Sequence, residues 1–226
     1  MLFPTWFTKL MKNEPATKKK TNNGWIIDES KCLSLAEVSC LRSTARKRQK
    51  TGVRLQKFNQ VRDWFMVELA LNTGLRVSEM TSLSHHNLLI DGDRSSITVL
   101  GKGNKKRAIW ISSRFKNTCS EYIKVKESFG HGINAESTLL NRSNGSSITK
   151  RGLQKAFKNI LYKARLPCYY YIHCLRHTYA TFLLKASNYN YRFVQQQLGH
   201  ASIRTTQVYA NVLESDGKKA VERLFA

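Results

Sequence analysis

The most informative part of the sequence runs from His173-Cys174-Leu175-Arg176-His177 through Leu198-Gly199-His200 to Tyr209. It contains the residue types that can break a phosphodiester bond by covalent attack. An arginine fork grips phosphate oxygens in pairs and never has to lose its proton. A tyrosine hydroxyl, whose ordinary pKa is about 10, becomes a good nucleophile only when cations and hydrogen-bond donors surround it. The pattern therefore predicts chemistry on a phosphodiester.

A second arginine lies upstream, in Leu71-Asn-Thr-Gly74-Leu-Arg76-Val-Ser-Glu79-Met-Thr-Ser-Leu83. Gly74 predicts the end of one helix, and residues 77–83 predict the start of another. Arg76 is thus expected at an exposed helix junction. Glu79 follows one turn later, where it can orient the Arg76 side chain.

The next block predicts a β-hairpin. It reads Ser96-Ile-Thr-Val-Leu-Gly101-Lys102-Gly103-Asn104-Lys105-Lys106-Arg107-Ala-Ile-Trp-Ile111, two β-prone runs joined by a glycine-rich turn. Lys102 is expected at the tip of this hairpin.

These blocks resemble the catalytic domain of the tyrosine recombinases, the phage-integrase family that includes Xer-type recombinases and fimbrial switch invertases. The matching pieces are TGLRVSE, GKGNKKR, HCLRHTYAT and LGHASIRTTQVYANV, in the family's order, between Gly74 and Val212. The resemblance implies a mainly α fold with a small antiparallel β-hairpin or sheet. It also implies a site-specific recombinase that cuts and rejoins DNA through a 3'-phosphotyrosyl intermediate, for integration, excision or inversion.

The resemblance implies a role for each matching residue. Arg76 and Arg176 match the two arginines that clamp the phosphate, and Tyr209 matches the nucleophile. Lys102 matches the hairpin lysine that protonates the 5'-oxygen leaving group. Lys105 is the alternative for that role, because a different register of the two strands would place it at the matching position of the turn.

The remaining matches support this set. His173 matches the first histidine of the H-x-x-R box, which acts in acid/base chemistry or phosphate contact. His200 matches the histidine that donates to a non-bridging oxygen, and Glu79 matches the acid that supports the first arginine. Lys105 and Arg107 are expected to bind DNA. Because the phosphotyrosyl bond conserves the energy of the phosphodiester, no metal, ATP or other cofactor is implied.

Other reactive side chains are expected to be structural. Tyr179 is expected to be a core aromatic with a tethered hydroxyl, and His177 a structural residue. His85 and His86 lie outside every matching block and are expected to be exposed loop residues.

The cysteines argue for reduced thiols in an intracellular protein. There are five of them with no C-x-x-C pair, at positions Cys32, Cys40, Cys119, Cys168 and Cys174. A zinc site built from His173, Cys174 and His177 is disfavoured, because neighbouring residues on a helix point in different directions.

Composition favours a polyanionic partner. The chain has 38 Lys and Arg against 15 Asp and Glu, a net charge of +23 and a pI near 10.1. Such a balance predicts binding to double-stranded DNA with steep salt dependence. A membrane-surface protein would need a broad apolar helix face or a lipidation signal, and neither is evident. The apolar start, residues 1–7, is too short to span a bilayer. A cytoplasmic, nucleoid-associated protein of a prokaryotic host is expected.

The chain divides into a basic arm or linker, residues 1–29, and a catalytic domain, residues 30–226. Capping and periodicity predict the domain's helices. They are expected at 34–50, 59–71, 77–83, 114–127, 150–163 (capped by Thr149), from 173 onward, at 191–198, beside Tyr209, and at 218–225. Many relatives carry a further helical N-terminal domain, which 29 residues are too few to form. A compact single-domain enzyme is therefore expected, with a decayed or truncated element as the alternative.

Three questions stay open from the sequence. A type IB topoisomerase uses similar residues, although the eight residues between His200 and Tyr209 favour a recombinase. A DNA-binding regulator could keep the fold without the chemistry. The apolar stripe of the last helix, 218–225, could pack on its own core or on a neighbouring protomer. We expect the second arrangement, in a homo-oligomer, a tetramer, on DNA.

Overall fold

Helices dominate the part of the chain that the structure describes. This computed structural model describes residues 31–90, 95–101 and 106–209. In chain order these residues form α1 (Leu35–Arg54), α2 (Phe58–Thr73), α3 (Val77–Ser82), a 3-10 turn (His85–Asn87), β1 (Leu88–Leu89), β2 (Ser96–Leu100), β3 (Lys106–Trp110), α4 (Ser113–Ser128), α5 (Lys150–Lys163), α6 (Ile172–Ala186), α7 (Tyr191–Leu198) and α8 (Arg204–Gln207). The mainly α fold with a small antiparallel sheet is confirmed.

The first helix begins where its capping box predicts. The Glu37 amide donates to Oγ of Ser34 over 3.3 Å, and the Ser34 amide donates to Oε2 of Glu37 over 2.8 Å. These two bonds satisfy donors that the first turn of a helix leaves without partners. Helix α1 continues beyond Lys50, the expected end, to Arg54.

Helix α2 is the centre of the fold. Periodicity predicts this helix at 59–71, and the observed helix is buried on nearly every side because α1, α4, α5 and α6 all pack against it. Phe65 of α2 stacks on Tyr122 of α4 with ring centroids 3.9 Å apart and an interplanar angle of 2°. A helix enclosed in this way is a rigid support for whatever follows it.

The sheet has the order β1-β2-β3 and is antiparallel throughout. Ile97 pairs with Ile109 in the register of β2 and β3, and both side chains are buried. The predicted hairpin is confirmed in its strands. Strand β1 was not predicted, because two residues are too short to show alternation. Lys102 and Lys105 lie outside the described residues.

Two glycines end helices immediately before site residues. Gly74 follows α2 with φ +60°, and Gly199 follows α7 with φ +65°. This left-handed conformation is strained for residues with a Cβ atom, and it turns the chain sharply. The turns place Arg76 and His200 just beyond the ends of two packed helices.

A small cluster of apolar side chains lies apart from the main core. Its buried members come from α6, α7 and the residues after α8, and they are Ala180, Leu184, Val194, Leu198 and Tyr209. Tyr179, expected in the core, is half-buried and packs against this small cluster. Tyr209 is therefore held by the small cluster and not by the side chains around α2.

The expectation for His85 is wrong. His85 is half-buried, and its Nε2 atom accepts a hydrogen bond from Nζ of the fully buried Lys126 over 2.9 Å. His86 is exposed, as expected. None of the five cysteines, all within the described ranges, forms a disulfide. In the described residues, no helix is long and apolar enough to span a membrane.

Candidate active site

Arg176 is a buried arginine that joins two helix ends. Its side chain emerges from α6, and the residue is only 2% exposed. Nη1 donates to the carbonyl of Gly74 over 2.6 Å, and Nη2 donates to the carbonyl of Leu198 over 2.9 Å. Burial and the nearby positive charge of Arg76 lower the pKa of Arg176 to about 10. The guanidinium thus stays charged at neutral pH while fixed between α2 and α7.

Arg76 stands at the start of α3, more open to solvent. Its backbone amide donates to Oε2 of Glu79 over 2.8 Å, and Nη1 donates to Oε1 over 3.0 Å. The Arg76 side chain is 38% exposed, whereas that of Glu79 is 6% exposed. Glu79 therefore has the contact expected of a residue that orients Arg76 towards the open side.

Arg107 of β3, which the sequence predicts to bind DNA, also binds Glu79. Its Nη1 and Nη2 atoms lie 2.9 and 3.0 Å from the two Glu79 oxygens, and Nε donates to the carbonyl of Gln197 over 3.4 Å. Because the planar fork is occupied by the carboxylate, Arg107 belongs to the framework of the site. Burial alone would raise the pKa of Glu79, but the two arginines outweigh it and hold that pKa below its ordinary value.

Both expected site histidines are uncharged at neutral pH. Burial, assisted by Arg176 and Arg76, lowers the pKa of His173 to about 4. Burial and the same arginines lower the pKa of His200 to about 3. The Nδ1 atom of His200 lies 3.0 Å from Oγ1 of Thr206, which fixes the ring. A neutral imidazole offers one N–H donor and one acceptor, so each ring can donate to a phosphate oxygen.

Tyr209 is buried beside these groups. The residue is 2% exposed, and its ring lies parallel to that of His200 with centroids 6.2 Å apart. Burial raises the pKa of its hydroxyl to about 12, although the charge of Arg176 acts in the opposite direction. The hydroxyl lies 3.3 Å from Nδ1 of His177. In this conformation it is sheltered from solvent.

His177, which the sequence predicts to be structural, lies beside His173 and Tyr209. Its ring meets the ring of His173 edge-on, with centroids 4.7 Å apart and an angle of 84°. The signal was the spacing: residues four apart on a helix lie on the same face. His173 and His177 therefore both face the site from α6.

Two open clefts flank the shared carboxylate. The first has a volume of about 360 Å³ and is lined by Arg76, Val77, Ser78, Gln154, Lys158, Tyr171, Ile172 and His173. The second has a volume of about 500 Å³ and is lined by Arg107, Ala108, Trp110, Arg192, Phe193, Gln195, Gln196, Gln197, Gly199 and His200. Within residues 31–90, 95–101 and 106–209, no group of three or more His, Cys, Asp or Glu is arranged to hold a metal ion.

Comparison with known proteins identifies the family. The profile of the phage integrase family matches residues 33–216, and the chain belongs to that family. Tyrosine recombinase XerC of Caldanaerobacter subterraneus subsp. tengcongensis is 34% identical over 163 residues, which are 72% of this chain and 44% of that protein. Tyrosine recombinase XerD of Oceanobacillus iheyensis is 36% identical over 157 residues, 69% and 52% of the two chains. The chain spans about half the length of the curated relatives it matches.

Solved structures share the fold. XerH recombinase in a post-cleavage complex with difH DNA superposes with a TM-score of 0.69 and 22% identity, covering 96% of this chain and 58% of that one. XerA recombinase also has a TM-score of 0.69, with 24% identity and coverage of 88% and 67%. The lambda integrase catalytic core has a TM-score of 0.52, with 19% identity and coverage of 75% and 91%. The fold is that of tyrosine recombinase catalytic domains.

Proposed function

We propose that this protein is a site-specific tyrosine recombinase that cuts and rejoins double-stranded DNA. The observation that carries the proposal is the convergence of His173, His200 and Tyr209 on the charges of Arg76 and Arg176, with Glu79 holding Arg76. An anion-binding group of this kind stabilises the extra charge of a pentacovalent phosphate. The named relatives XerC and XerD are tyrosine recombinases, which agrees with this assignment.

The reaction consists of two transesterifications. The Tyr209 oxygen attacks the phosphorus atom, a 3'-phosphotyrosyl bond forms, and the 5'-oxygen leaves with a proton from Lys102. The 5'-hydroxyl of a partner strand then attacks the phosphotyrosyl group and releases Tyr209. Bond energy is conserved at each step, so the chemistry uses no ATP, metal ion or other cofactor.

The two arginines have different parts in holding the phosphate. Arg76 has an exposed fork that can approach the phosphate directly. Each terminal nitrogen of Arg176 donates one hydrogen bond to a backbone carbonyl, Nη1 to that of Gly74 and Nη2 to that of Leu198. Since a guanidinium has five N–H groups, three remain for the phosphate. The backbone bonds fix the direction of those three, which preorganises the site before DNA arrives.

Helix α5 presents a positively charged surface beside the first cleft, where DNA could bind. It contains no acidic residue, and its exposed side chains include Lys150, Arg151, Gln154 and Lys155. Together with the net charge of +23, this surface favours the phosphate backbone of a duplex. Lys105, which lies outside the described residues, would add a further phosphate contact.

We extend the proposal to assembly and organisation. Residues 1–29 form a basic arm, and residues 30–226 form the catalytic domain. The last helix, 218–225, which lies outside the described residues, docks on a neighbouring protomer in a tetramer on DNA. One structurally similar chain, lambda integrase, is a dimer bound to its core site.

The protein acts in the cytoplasm, at the nucleoid of its host. Deletion of residues 216–226 should leave DNA binding intact and abolish higher-order complexes.

A nicked suicide substrate tests the proposed chemistry. Loss of the short fragment beside the nick prevents rejoining, so an SDS-stable, protease-sensitive DNA adduct accumulates if a phosphotyrosyl bond forms. We expect an adduct with the native protein in EDTA. No adduct would indicate a DNA-binding regulator instead. Adduct and supercoil relaxation without strand exchange between two duplexes would indicate a topoisomerase.

A further inference from the structure

We infer that His177 is a further catalytic residue, which accepts the hydroxyl proton of Tyr209 as the bond to DNA forms and returns it when the strands rejoin. This inference rests on the proposed function, in which Tyr209 is the nucleophile. The residue-by-residue match of the sequence left His177 without a role.

The contact that carries the inference is the hydrogen bond between the Tyr209 hydroxyl and Nδ1 of His177. The two atoms are 3.3 Å apart in a buried setting, and Tyr209 and His177 are 2% and 6% exposed. The ring of His200 lies parallel to the Tyr209 ring, and its Nδ1 atom is engaged with Thr206. His177 is thus the base placed at the reacting oxygen.

The charge state of His177 suits this role. Burial, followed by the charges of His173, Arg176 and Lys31, lowers its pKa to about 4, so the ring is neutral at physiological pH. With the hydroxyl as donor, Nδ1 is the acceptor and the ring proton resides on Nε2. The charged or titratable groups that face the pair are His173, Arg176 and Lys31 on the side of His177, and Arg176, Arg76, Cys32 and His200 on the side of Tyr209.

Binding of DNA strengthens the base. A phosphate held between Arg76 and Arg176 brings negative charge close to the imidazole, and an opposite charge nearby raises a histidine pKa. The same phosphate offsets part of the positive charge that holds the pKa of His177 low in the free protein. Proton acceptance is therefore favoured when substrate is present.

The proton and bond changes balance. In cleavage, the bond from Tyr209 Oη to phosphorus forms, the bond from phosphorus to the 5'-oxygen breaks, and the phenolic proton passes to Nδ1 of His177. The leaving 5'-oxygen takes its proton from Lys102. In rejoining, the attacking 5'-hydroxyl returns a proton to Lys102, and the imidazolium of His177 gives its proton back to the departing tyrosine oxygen. Neither an oxidant nor a further reactant is needed.

The decisive variant is His177→Asn. Asparagine places an amide oxygen near the position of Nδ1, so the hydrogen bond to Tyr209 is retained while the basic atom is lost. We would measure the single-turnover rate of adduct formation on nicked DNA between pH 6 and pH 9. General base catalysis contributes about 10²- to 10⁴-fold. We expect the variant to be about 100-fold slower or more near pH 6.5, with the deficit shrinking as pH rises and hydroxide takes over.

Two controls isolate the proton step. His86→Asn makes the same chemical change at an exposed site and should leave the rate unaltered. A substrate with sulfur in place of the bridging 5'-oxygen needs no acid for its leaving group. That substrate should restore cleavage by Lys102→Met but not by His177→Asn. Should His177→Asn melt at a lower temperature than the native protein, His177→Gln replaces it in the same pH series.

The outcomes separate this inference from the proposed function. A deficit that stays constant across the pH range would mean that His177 only packs against Tyr209, and it would overturn the inference. A faster variant would overturn it too, because His177 would then merely restrain the nucleophile. If the native protein forms no adduct at all, the proposed function fails and the inference fails with it.

Discussion

Arg107 and Glu79 form a two-pronged ion pair, with Nη1 2.9 Å from Oε1 and Nη2 3.0 Å from Oε2. The same carboxylate holds Arg76, so one acidic group connects strand β3 to the start of helix α3. Strand β3 is therefore linked through Glu79 to the arginine proposed to grip the phosphate.

Arg107→Lys should slow adduct formation about tenfold while DNA affinity changes less than threefold. Lysine keeps the charge but cannot bind both carboxylate oxygens, so Glu79 would hold Arg76 less firmly. Single-turnover cleavage and DNA titration at fixed salt would measure the two effects. Lys106→Gln is the matched control, because this neighbouring residue on the same strand is exposed. Equal rates for native protein and Arg107→Lys would contradict the positioning role.

Tyr209→Phe should abolish the covalent adduct and leave DNA affinity within a few-fold. Only one oxygen is removed, whereas affinity depends mainly on the cationic surface. Loss of the hydrogen bond to His177 should lower the free energy of unfolding by about 1 kcal/mol. Gel analysis after SDS treatment and a denaturant titration would test both statements. An adduct formed by the Phe variant would show that another residue is the nucleophile.

Arg76→Lys and Arg176→Lys should both reduce cleavage in EDTA by about 100-fold or more, since the planar fork is lost. Their stabilities should differ. Arg176→Lys leaves the carbonyls of Gly74 and Leu198 with fewer buried donors and should cost about 1–3 kcal/mol of unfolding free energy. Arg76→Lys, at an exposed junction, should cost much less. Cleavage that depends on added magnesium would refute the metal-free mechanism.

Gly199→Ala should both destabilise the protein and impair cleavage. A Cβ atom at this position would lie 2.8 Å from Cδ and Nε of Arg107, and the backbone φ of +65° is strained for alanine. The strained backbone alone should lower the free energy of unfolding by about 1–2 kcal/mol. Gly145→Ala is a suitable control, because its φ of +83° is similarly strained but a Cβ atom there meets nothing within 4 Å. A deficit in cleavage for Gly145→Ala equal to that of Gly199→Ala would argue against the contact with Arg107.

The stability of the protein should fall as pH drops from 7 towards 4. Burial lowers the pKa values of His85, His173 and His177 to about 4, and that of His200 to about 3. The unfolded chain therefore binds more protons in this window, and stability is complete above the unfolded pKa of about 6.5. Each histidine should contribute on the order of 1 kcal/mol after solvent screening.

Urea titrations at several pH values would measure this loss. His85→Asn should make the unfolding free energy depend less on pH, because one titrating histidine is lost. His85 contacts Lys126 and takes no part in the proposed chemistry, so this substitution tests stability alone. His86→Asn, at an exposed position, should leave the curve unchanged. An unfolding free energy that is constant between pH 7 and pH 4.5 would exclude the proposed burial of neutral rings.

Sequence reasoning succeeded where the signal was local. The caps at Ser34 and Thr149 and the glycine stops at Gly74 and Gly199 place helix ends within a few residues of their observed positions. Such signals depend on a few adjacent residues, so they survive without tertiary information. The family blocks likewise gave the fold class.

What escaped prediction depends on contacts between distant segments. The ion pair of Arg107 with Glu79 joins residues 28 positions apart, and the contact of His177 with Tyr209 joins residues 32 positions apart. The environment of His85 is set by Lys126, 41 positions away. In each case the side chain's partner, and not its own type, determines its role. The sequence predicts DNA contact for Arg107 of the hairpin block but gives no sign of its contact with Glu79.

The separation of the small cluster from the main core gives the chain two levels of stability. Hydrogen exchange in folded proteins proceeds through partial openings, whose free energies range from near zero to that of global unfolding. Opening the region around Tyr209 disrupts the side chains of five buried residues, while the aromatic stack around α2 stays closed. Amides of α7 should therefore exchange well before those of α2. Local opening should therefore release the tyrosine together with the Arg176 bond to the Leu198 carbonyl, while the Arg176 bond to the Gly74 carbonyl stays with α2.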